Sequence, residues 1–243
     1  MLEIKNLRKT YTGRLALENV HLTLSPGEII GLFGGNGAGK TTLMKCILDL
    51  LRYDGSIELD GQKIDRSNIA RLSFATSEHS FFPALTAREH REFYQMHFPK
   101  WNDRRYGVLM DFFSLPHNRK LNAMSTGQKN QFEVILALCQ GADYILMDEP
   151  FAGNDIFNRE DFYKVLLGIL EPHETILLST HLIEEVEHFV TRAVILKDRT
   201  VAADVTAEQL DEDGLSLTDF IKQTYAYRSD RVLDALERLD RKE

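Results

Sequence analysis

The sequence is poor in the residues and patterns that mark disulfide-rich or membrane-spanning proteins. It has only two cysteines, Cys46 and Cys139. Each lies in an apolar helical pattern without a CxxC spacing, which predicts small core residues in a reducing compartment rather than a redox pair. No apolar run approaches the roughly 18 residues that a membrane span requires, and the N-terminus has no signal-peptide stretch. We therefore expect a soluble, cytoplasmic protein.

An excess of positive charge is also missing. The 243 residues include 29 Lys and Arg against 37 Asp and Glu, which gives a net charge of −8. Nucleic-acid backbones are held by clustered basic side chains, so we expect no nucleic-acid partner. Any phosphate that the protein binds must therefore be held by a local site. The hydrophobic content of 43% predicts a globular chain with a hydrophobic core.

The hydrophobic pattern alternates between strands and helices. Residues 2–7 and 20–24 alternate apolar and polar side chains, which predicts an antiparallel β region at the start. Residues 29–33, 144–147 and 175–179 are continuous apolar runs, typical of strands buried on both faces. Strands that alternate with helices predict an α/β fold with a mainly parallel sheet.

The pattern changes to helix from Leu85 to Gln140, where Thr86 and Glu89 form a capping-box signature. The charged amphipathic segment from Arg228 is either a solvated appendage or a docking surface. The predicted domains are a core with the antiparallel β region (1–84 and 141–205), a helical subdomain (85–140) and a C-terminal helical tail (206–243).

A glycine-rich loop follows the first buried strand and opens a helix. It matches the P-loop pattern GxxxxGK[ST], in which backbone N–H groups close on phosphates, Lys40 neutralises their charge and the Thr41 hydroxyl ligates Mg²⁺. The predicted nucleotide-binding residues are Gly34, Gly35, Asn36, Gly37, Ala38, Gly39, Lys40, Thr41 and Thr42.

Acidic and imidazole side chains follow two other buried strands. Asp148 and Glu149 come at the end of one strand, where open α/β sheets bind their ligands. We expect Asp148 to contribute to the outer shell of Mg²⁺ and Glu149 to polarise an attacking water. His181 follows the next strand and is placed to hydrogen-bond a γ-phosphate. The predicted catalytic residues are thus Lys40, Glu149 and His181. Tyr11, after the first strand, either stacks on a base or packs in a hairpin.

A second helix start at Met124, in the stretch MSTGQ, places small polar residues ahead of an apolar-periodic run. The free N–H groups of such a helix start can hold an anion, so one chain carries two candidate phosphate-binding helix starts.

These motifs together resemble the nucleotide-binding subunit of ABC transporters, from Met1 to about Val201. The resemblance rests on Tyr11 and, in order, GGNGAGKTT, MSTGQ, MDEP, AGND and LLSTH. It implies a P-loop NTPase core and two subunits that face head to tail, so that the signature helix of one caps the γ-phosphate on the P-loop of the other. By this resemblance the signature residues act in trans, and Asp155 is the D-loop aspartate. The signature residues are Ser125, Thr126, Gly127 and Gln128.

The resemblance further implies ATP and Mg²⁺ as cofactors, a second ABC ATPase subunit, identical or paralogous, and a separate integral membrane permease. The chain would then be peripheral on the inner face of the cell membrane. The stretches FFPALTARE and GLSLTDFIKQ look most like exporters of drugs, antibiotics or peptides. Two alternatives remain: a soluble ABC ATPase of DNA repair or translation, and a nucleotide-gated binding module without turnover.

The sequence departs from the family pattern at three places. Met124 and Thr126 replace the usual leucine and glycine of the signature, and Gln131 stands where arginine is common. The Q-loop glutamine is replaced by Ser77, followed by Glu78. A serine is too short to reach Mg²⁺ from the same backbone, so water or Glu78 would have to fill that coordination position.

Overall fold

The computed structural model describes residues 1–150 and 156–226. The strands and helices within them, in chain order, are β1 (Leu2–Tyr11), β2 (Arg14–Leu24), β3 (Ile29–Phe33), α1 (Lys40–Ile47), β4 (Asp54–Leu59), β5 (Gln62–Lys63), β6 (Leu72–Thr76), α2 (Ala87–His97), α3 (Asp103–Phe112), α4 (Thr126–Cys139), β7 (Tyr144–Asp148), α5 (Ile156–Ile169), β8 (Thr175–Ser179), α6 (Ile183–Val186), β9 (Arg192–Lys197), β10 (Thr200–Thr206), α7 (Ala207–Glu212) and α8 (Leu217–Thr224).

The chain opens with a small antiparallel sheet, which confirms the predicted β region. Among the described residues its strand order is β2-β1-β4-β5. β1 and β2 are longer than the sequence pattern predicts and meet across a turn at Thr12 and Gly13, both with positive φ. Leu2, Ile4 and Leu7 of β1 are buried, so one face of this sheet packs on the core.

The second sheet forms the centre of the molecule, and within the described ranges its order is β10-β9-β3-β8-β7-β6. The strands from β9 to β6 are parallel and β10 is an antiparallel edge strand. β3 is buried along its length: Ile30 and Leu32 join a hydrophobic cluster with α1 and the small sheet, whereas Ile29 and Phe33 join a second cluster on the opposite face. Both faces are covered, as the continuous apolar runs predict.

The two cysteines are free and buried, as predicted. Burial raises the pKa of the Cys46 thiol to about 11 and raises that of Cys139 as well. Both thiols therefore stay protonated at neutral pH and act as small apolar core residues.

A helical subdomain is built from α2, α3 and α4. The side chains of Thr86 and Glu89 cap α2 reciprocally, as predicted. α4 packs against β6 and β7 of the central sheet. The guanidinium of Arg105, on α3, makes a buried bidentate ion pair with Glu174 just before β8, which ties this subdomain to the core.

The C-terminal part contains the short helices α7 and α8, which begin at the caps Thr206 and Ser216. α6 is four residues long, shorter than the predicted helix over 182–189. The predicted tail helix from Arg228 lies outside the described residues. No helix in the described ranges is both long and apolar enough to cross a membrane.

Candidate functional site

The glycine-rich loop between β3 and α1 needs glycine for its backbone path. Gly37 has a φ of 78° and Gly39, the N-cap of α1, a φ of 109°, both in the left-handed region. A Cβ on Gly39 would also lie 2.6 Å from Cδ2 of Leu17. The loop therefore places the N-terminus of α1 at the cleft. The free N–H groups of a helix N-terminus favour binding of an anion.

Lys40 starts α1 and folds back over the loop. Its Nζ donates to the carbonyl oxygen of Gly34 at 2.7 Å and to that of Gly35 at 3.4 Å. Burial lowers the pKa of the ammonium group, while the carboxylates of Glu149 and Asp148 raise it. The positive charge thus lies at the loop, facing two acids across the cleft.

Three oxygen-bearing side chains meet where α1 begins and β7 and β8 end. The hydroxyl of Thr41 donates to Oδ2 of Asp148 at 2.5 Å, and the hydroxyl of Ser179 donates to Oδ1 at 2.5 Å. The parallel register of β7 and β8 pairs Asp148 with Ser179 and so fixes this contact. A hydroxyl and a carboxylate in contact are hard oxygen donors, so Thr41 and Asp148 fit a Mg²⁺ ion.

Ser179 is a site residue that the sequence analysis missed. The sequence pattern predicts a buried strand here but not a contact with the site. In the structure Ser179 is fully buried and its hydroxyl donates to Asp148. The available signal was its position, because a polar residue that ends a buried strand beside Asp148 needs a hydrogen-bond partner.

Glu149 is held in an unusual backbone conformation. Its φ is 48°, rare for a residue other than glycine. Its N–H donates to the carbonyl oxygen of Ser179 at 3.1 Å, and its Oε1 lies 3.0 Å from Nε2 of His181. Burial raises the pKa of Glu149, although His181 and Lys40 act to lower it. The carboxylate is therefore aimed and partly desolvated, as a general base requires.

These residues line one cleft of about 310 Å³. The lining residues are Ala16, Asn36, Gly37, Ala38, Gly39, Lys40, Thr41, Thr42, Asp148, Glu149 and His181. Ala16 is a lining residue that the sequence analysis did not identify. Gly34 and Gly35 lie beneath Lys40 rather than on the cleft wall.

Tyr11 lies at the rim of this cleft. The residue is 42% exposed, its hydroxyl is 3.5 Å from Oγ1 of Thr42, and the Lys9 ammonium lies 4.8 Å from the ring centroid. This place beside the P-loop is compatible with stacking on a base.

Ser77 and Glu78 follow β6, and both are exposed. The carboxylate of Glu78 pairs with Lys45 on α1, with Oε2 and Nζ 2.8 Å apart, and neither Ser77 nor Glu78 lines the cleft. In this structure Glu78 therefore pairs with Lys45 rather than lining the cleft with Thr41 and Asp148.

The signature residues lie at the start of α4. Ser125 Oγ accepts from the N–H of Gln128, whose Oε1 accepts from the N–H of Ser125, so the helix has a complete capping box. Ser125 and Thr126 are exposed, and no signature residue lines the cleft of the same chain. The helix start therefore faces outward. Asp155, the predicted D-loop residue, lies outside the described residues.

Together, the P-loop, the acids at the end of β7 and the sheet order define a P-loop ATPase. The family model described as ABC transporter matches residues 17–152, more than half of the chain. The chain belongs to this family. It is an ABC ATPase, which hydrolyses ATP to drive transport.

Relatives and solved structures agree with this membership. The chain is 32% identical to the lipopolysaccharide export ATP-binding protein LptB of Haemophilus influenzae, over 88% of this chain and 93% of that protein. It is 28% identical to the ABC transporter ATP-binding protein YtrB of Bacillus subtilis, over 89% and 76% of the two chains. A solved ATP-binding subunit of an ABC transporter superposes with a TM-score of 0.82 at 26% identity, covering 93% of this chain and 99% of that one.

Proposed function

We propose that this chain binds Mg-ATP in the cleft and hydrolyses it with Glu149 as the general base. The observation that carries the proposal is the placement of Glu149, fixed by Ser179 and by His181 at 3.0 Å on the wall that faces Lys40. The carboxylate takes a proton from a water whose oxygen bonds to the γ-phosphorus, while the bond from that phosphorus to the β-phosphate oxygen breaks and ADP leaves. His181 lies beside the carboxylate and is placed to hydrogen-bond the γ-phosphate.

The remaining cleft residues hold the nucleotide. The N–H groups of the loop and the ammonium of Lys40 bind the phosphates, and Tyr11 stacks on the base. Thr41 and Asp148 hold Mg²⁺, which when bound neutralises phosphate charge.

We further propose that two such subunits, identical or paralogous, close head to tail on ATP. The exposed start of α4 supports this arrangement, because Ser125, Thr126, Gly127 and Gln128 are absent from the cleft of their own chain. A related cassette, MJ0796, is a dimer in its structure with ADP and Pi, with a TM-score of 0.74 and 26% identity to this chain. Asp155 would then communicate across the interface.

The transport direction that we propose is export of a drug, antibiotic or peptide through a separate integral membrane permease, with this subunit on the cytoplasmic face of the membrane. Support comes from the stretches FFPALTARE and GLSLTDFIKQ and from the peptide export protein SkfE of Bacillus subtilis, 28% identical over 88% of this chain. Import proteins are similar to this chain as well: PhnC of Alcaligenes faecalis, a phosphonate importer, is 30% identical over 90% of it.

Two substitutions separate nucleotide binding from turnover. Glu149→Gln is expected to bind Mg-ATP with near wild-type affinity but not to hydrolyse it, and to accumulate as an ATP-bound dimer. Lys40→Ala is expected to lose ATP binding. Calorimetry measures ATP affinity, phosphate release measures turnover and light scattering measures dimerisation. Each measurement is repeated in a mixture with a paralogous subunit. Wild-type turnover by Glu149→Gln would contradict the general-base assignment, and an unchanged affinity of Lys40→Ala would contradict the nucleotide site.

The partner and direction call for a detergent pull-down from native membranes, followed by reconstitution of the co-purified permease in vesicles. ATP added on the side of this subunit should move a labelled peptide or drug away from it. Movement toward the subunit would establish import, and co-purification with ribosomes or DNA in place of a permease would establish the non-transport class.

A further inference from the structure

The C-terminal part of the described chain contacts the P-loop. α8 ends at Thr224, and the hydroxyl of the next residue, Tyr225, accepts from the N–H of Gly35 at 3.1 Å. The same hydroxyl donates to the carbonyl oxygen of Leu196, on β9, at 2.9 Å. Tyr225 therefore links the glycine loop to a core strand through one oxygen atom.

The contact matters because of the peptide unit it holds. The N–H of Gly35 and the C=O of Gly34 belong to the same peptide plane. Tyr225 binds the N–H, and the ammonium of Lys40 binds the C=O at 2.7 Å. A hydrogen bond at one end of a peptide polarises the other end and strengthens its bond. The orientation of this peptide plane thus determines where the carbonyl oxygen of Gly34 lies, and that oxygen accepts from the Lys40 ammonium.

This peptide plane has little restraint of its own. It joins two glycines, which have no Cβ to limit rotation of the backbone. The loop also passes so close to β9 that a Cβ on Gly34 would lie 2.7 Å from the carbonyl oxygen of Leu196. Glycine is required there by space, so the plane depends on its hydrogen bonds: Lys40 holds the C=O, and the hydroxyl of Tyr225 holds the N–H.

Tyr225 is itself held in place. The ammonium of Lys197 donates to the carbonyl oxygen of Thr224 at 2.8 Å and lies 5.5 Å from the ring centroid of Tyr225. Gly35 is not part of the cleft wall, so the tyrosine reaches the loop from behind and leaves the phosphate position open.

We propose that Tyr225 is a positioning residue of the ATP site, which acts on Lys40 through the Gly34–Gly35 peptide. The proposal rests on the proposed function of Lys40 in phosphate binding. If Tyr225 acts in this way, nucleotide affinity depends on the position of α8 against β9 and the loop. By linkage, nucleotide binding in turn stabilises α8 in that position.

The test removes the hydroxyl alone. Tyr225→Phe keeps the ring beside Lys197. The matched control is Tyr106→Phe, in the helical subdomain. The hydroxyl of Tyr106 also donates to a backbone carbonyl oxygen, that of Ala87 at 3.0 Å. Tyr225→Phe removes both hydrogen bonds of the hydroxyl, of which only the one from Gly35 reaches the loop. From the loss of that one bond we expect the Kd for a non-hydrolysable Mg-ATP analogue and the KM for ATP to rise about three- to ten-fold. kcat should stay within about two-fold, and amide exchange of the loop should accelerate.

Three results would overturn the proposal: an unchanged Kd for Tyr225→Phe, an equal loss of affinity in Tyr106→Phe, or a fall in kcat with constant KM. Lys40→Ala in the same series distinguishes failure of the inference from failure of the proposed function. If Lys40→Ala loses binding while Tyr225→Phe binds as wild type, only the inference fails. If Lys40→Ala binds normally, the proposed nucleotide site itself fails.

Discussion

Replacing Glu133 with glutamine is expected to change how stability depends on pH. Glu133 lies on α4 and is 2% exposed, and its Oε1 accepts from the N–H and the hydroxyl of Ser80 at 2.9 and 2.6 Å. Burial raises the pKa of this carboxyl to about 7, although the bonds from Ser80 act to lower it. The folded protein thus keeps a proton that the unfolded chain releases.

The magnitude follows from proton linkage. With an unfolded pKa of 4.5, the protonated form of Glu133 stabilises the folded state fully below that pH. This stability is lost as pH rises through about 7. The difference of about 2.5 pKa units corresponds to about 3 kcal/mol at 1.36 kcal/mol per unit. Glutamine does not ionise, so Glu133→Gln should escape this loss.

Urea unfolding of wild type and Glu133→Gln, at pH values between 4.5 and 8.5, measures the effect. The free energy of unfolding of the variant relative to wild type should rise by about 3 kcal/mol across this window. Glu208→Gln, at an exposed position on α7, is the control and should show no such trend. Parallel curves for wild type and Glu133→Gln would refute the reasoning.

Three further substitutions test other contacts. Ser179→Ala removes the hydroxyl on Asp148 and should raise the Mg²⁺ concentration for half-maximal ATPase by about ten-fold; an unchanged Mg²⁺ titration would contradict this. Ser77→Ala should leave basal ATPase within a few-fold of wild type, since the exposed hydroxyl does not line the cleft; a ten-fold loss would show that this loop contributes a ligand. Arg105→Met should cost about 3–5 kcal/mol in urea unfolding by leaving the buried Glu174 unpaired. Adding Glu174→Met should recover part of that loss, because the carbonyl oxygens of Leu138 and Ile169 still lack their Arg105 donor; a double variant as unstable as the single one would contradict the desolvation argument.

The sequence predicted best those features that are encoded by local patterns. β3 and β8 have the predicted bounds, 29–33 and 175–179, because their continuous apolar runs are fully buried. The capping box at Thr86 was predicted because both of its partners lie within one helical turn. The local signals were as short for Lys40, which lies in the glycine-loop motif after β3, and for Glu149, which directly follows β7.

The contacts that the sequence did not predict join residues far apart in the chain. Ser179 reaches Asp148 only through the register of β7 and β8, and Glu78 is held by Lys45 across 33 positions. Tyr225 lies 190 positions from Gly35. No periodicity or local spacing encodes such pairs, because they depend on how the finished sheet places its strand ends.

The site composed from two chains can be tested by mixing two inactive variants. Lys40→Ala retains an intact signature helix and Ser125→Arg retains an intact P-loop. In a mixed dimer, one complete site forms from the P-loop of the second variant and the signature of the first. If Ser125 acts in trans, each variant alone should be inactive, and an equimolar mixture should recover about a quarter of the wild-type ATPase rate, since half of the dimers are mixed and each carries one of two sites. A mixture as inactive as its components, with both variants folded and the mixed dimer captured by cross-linking, would contradict the composite site.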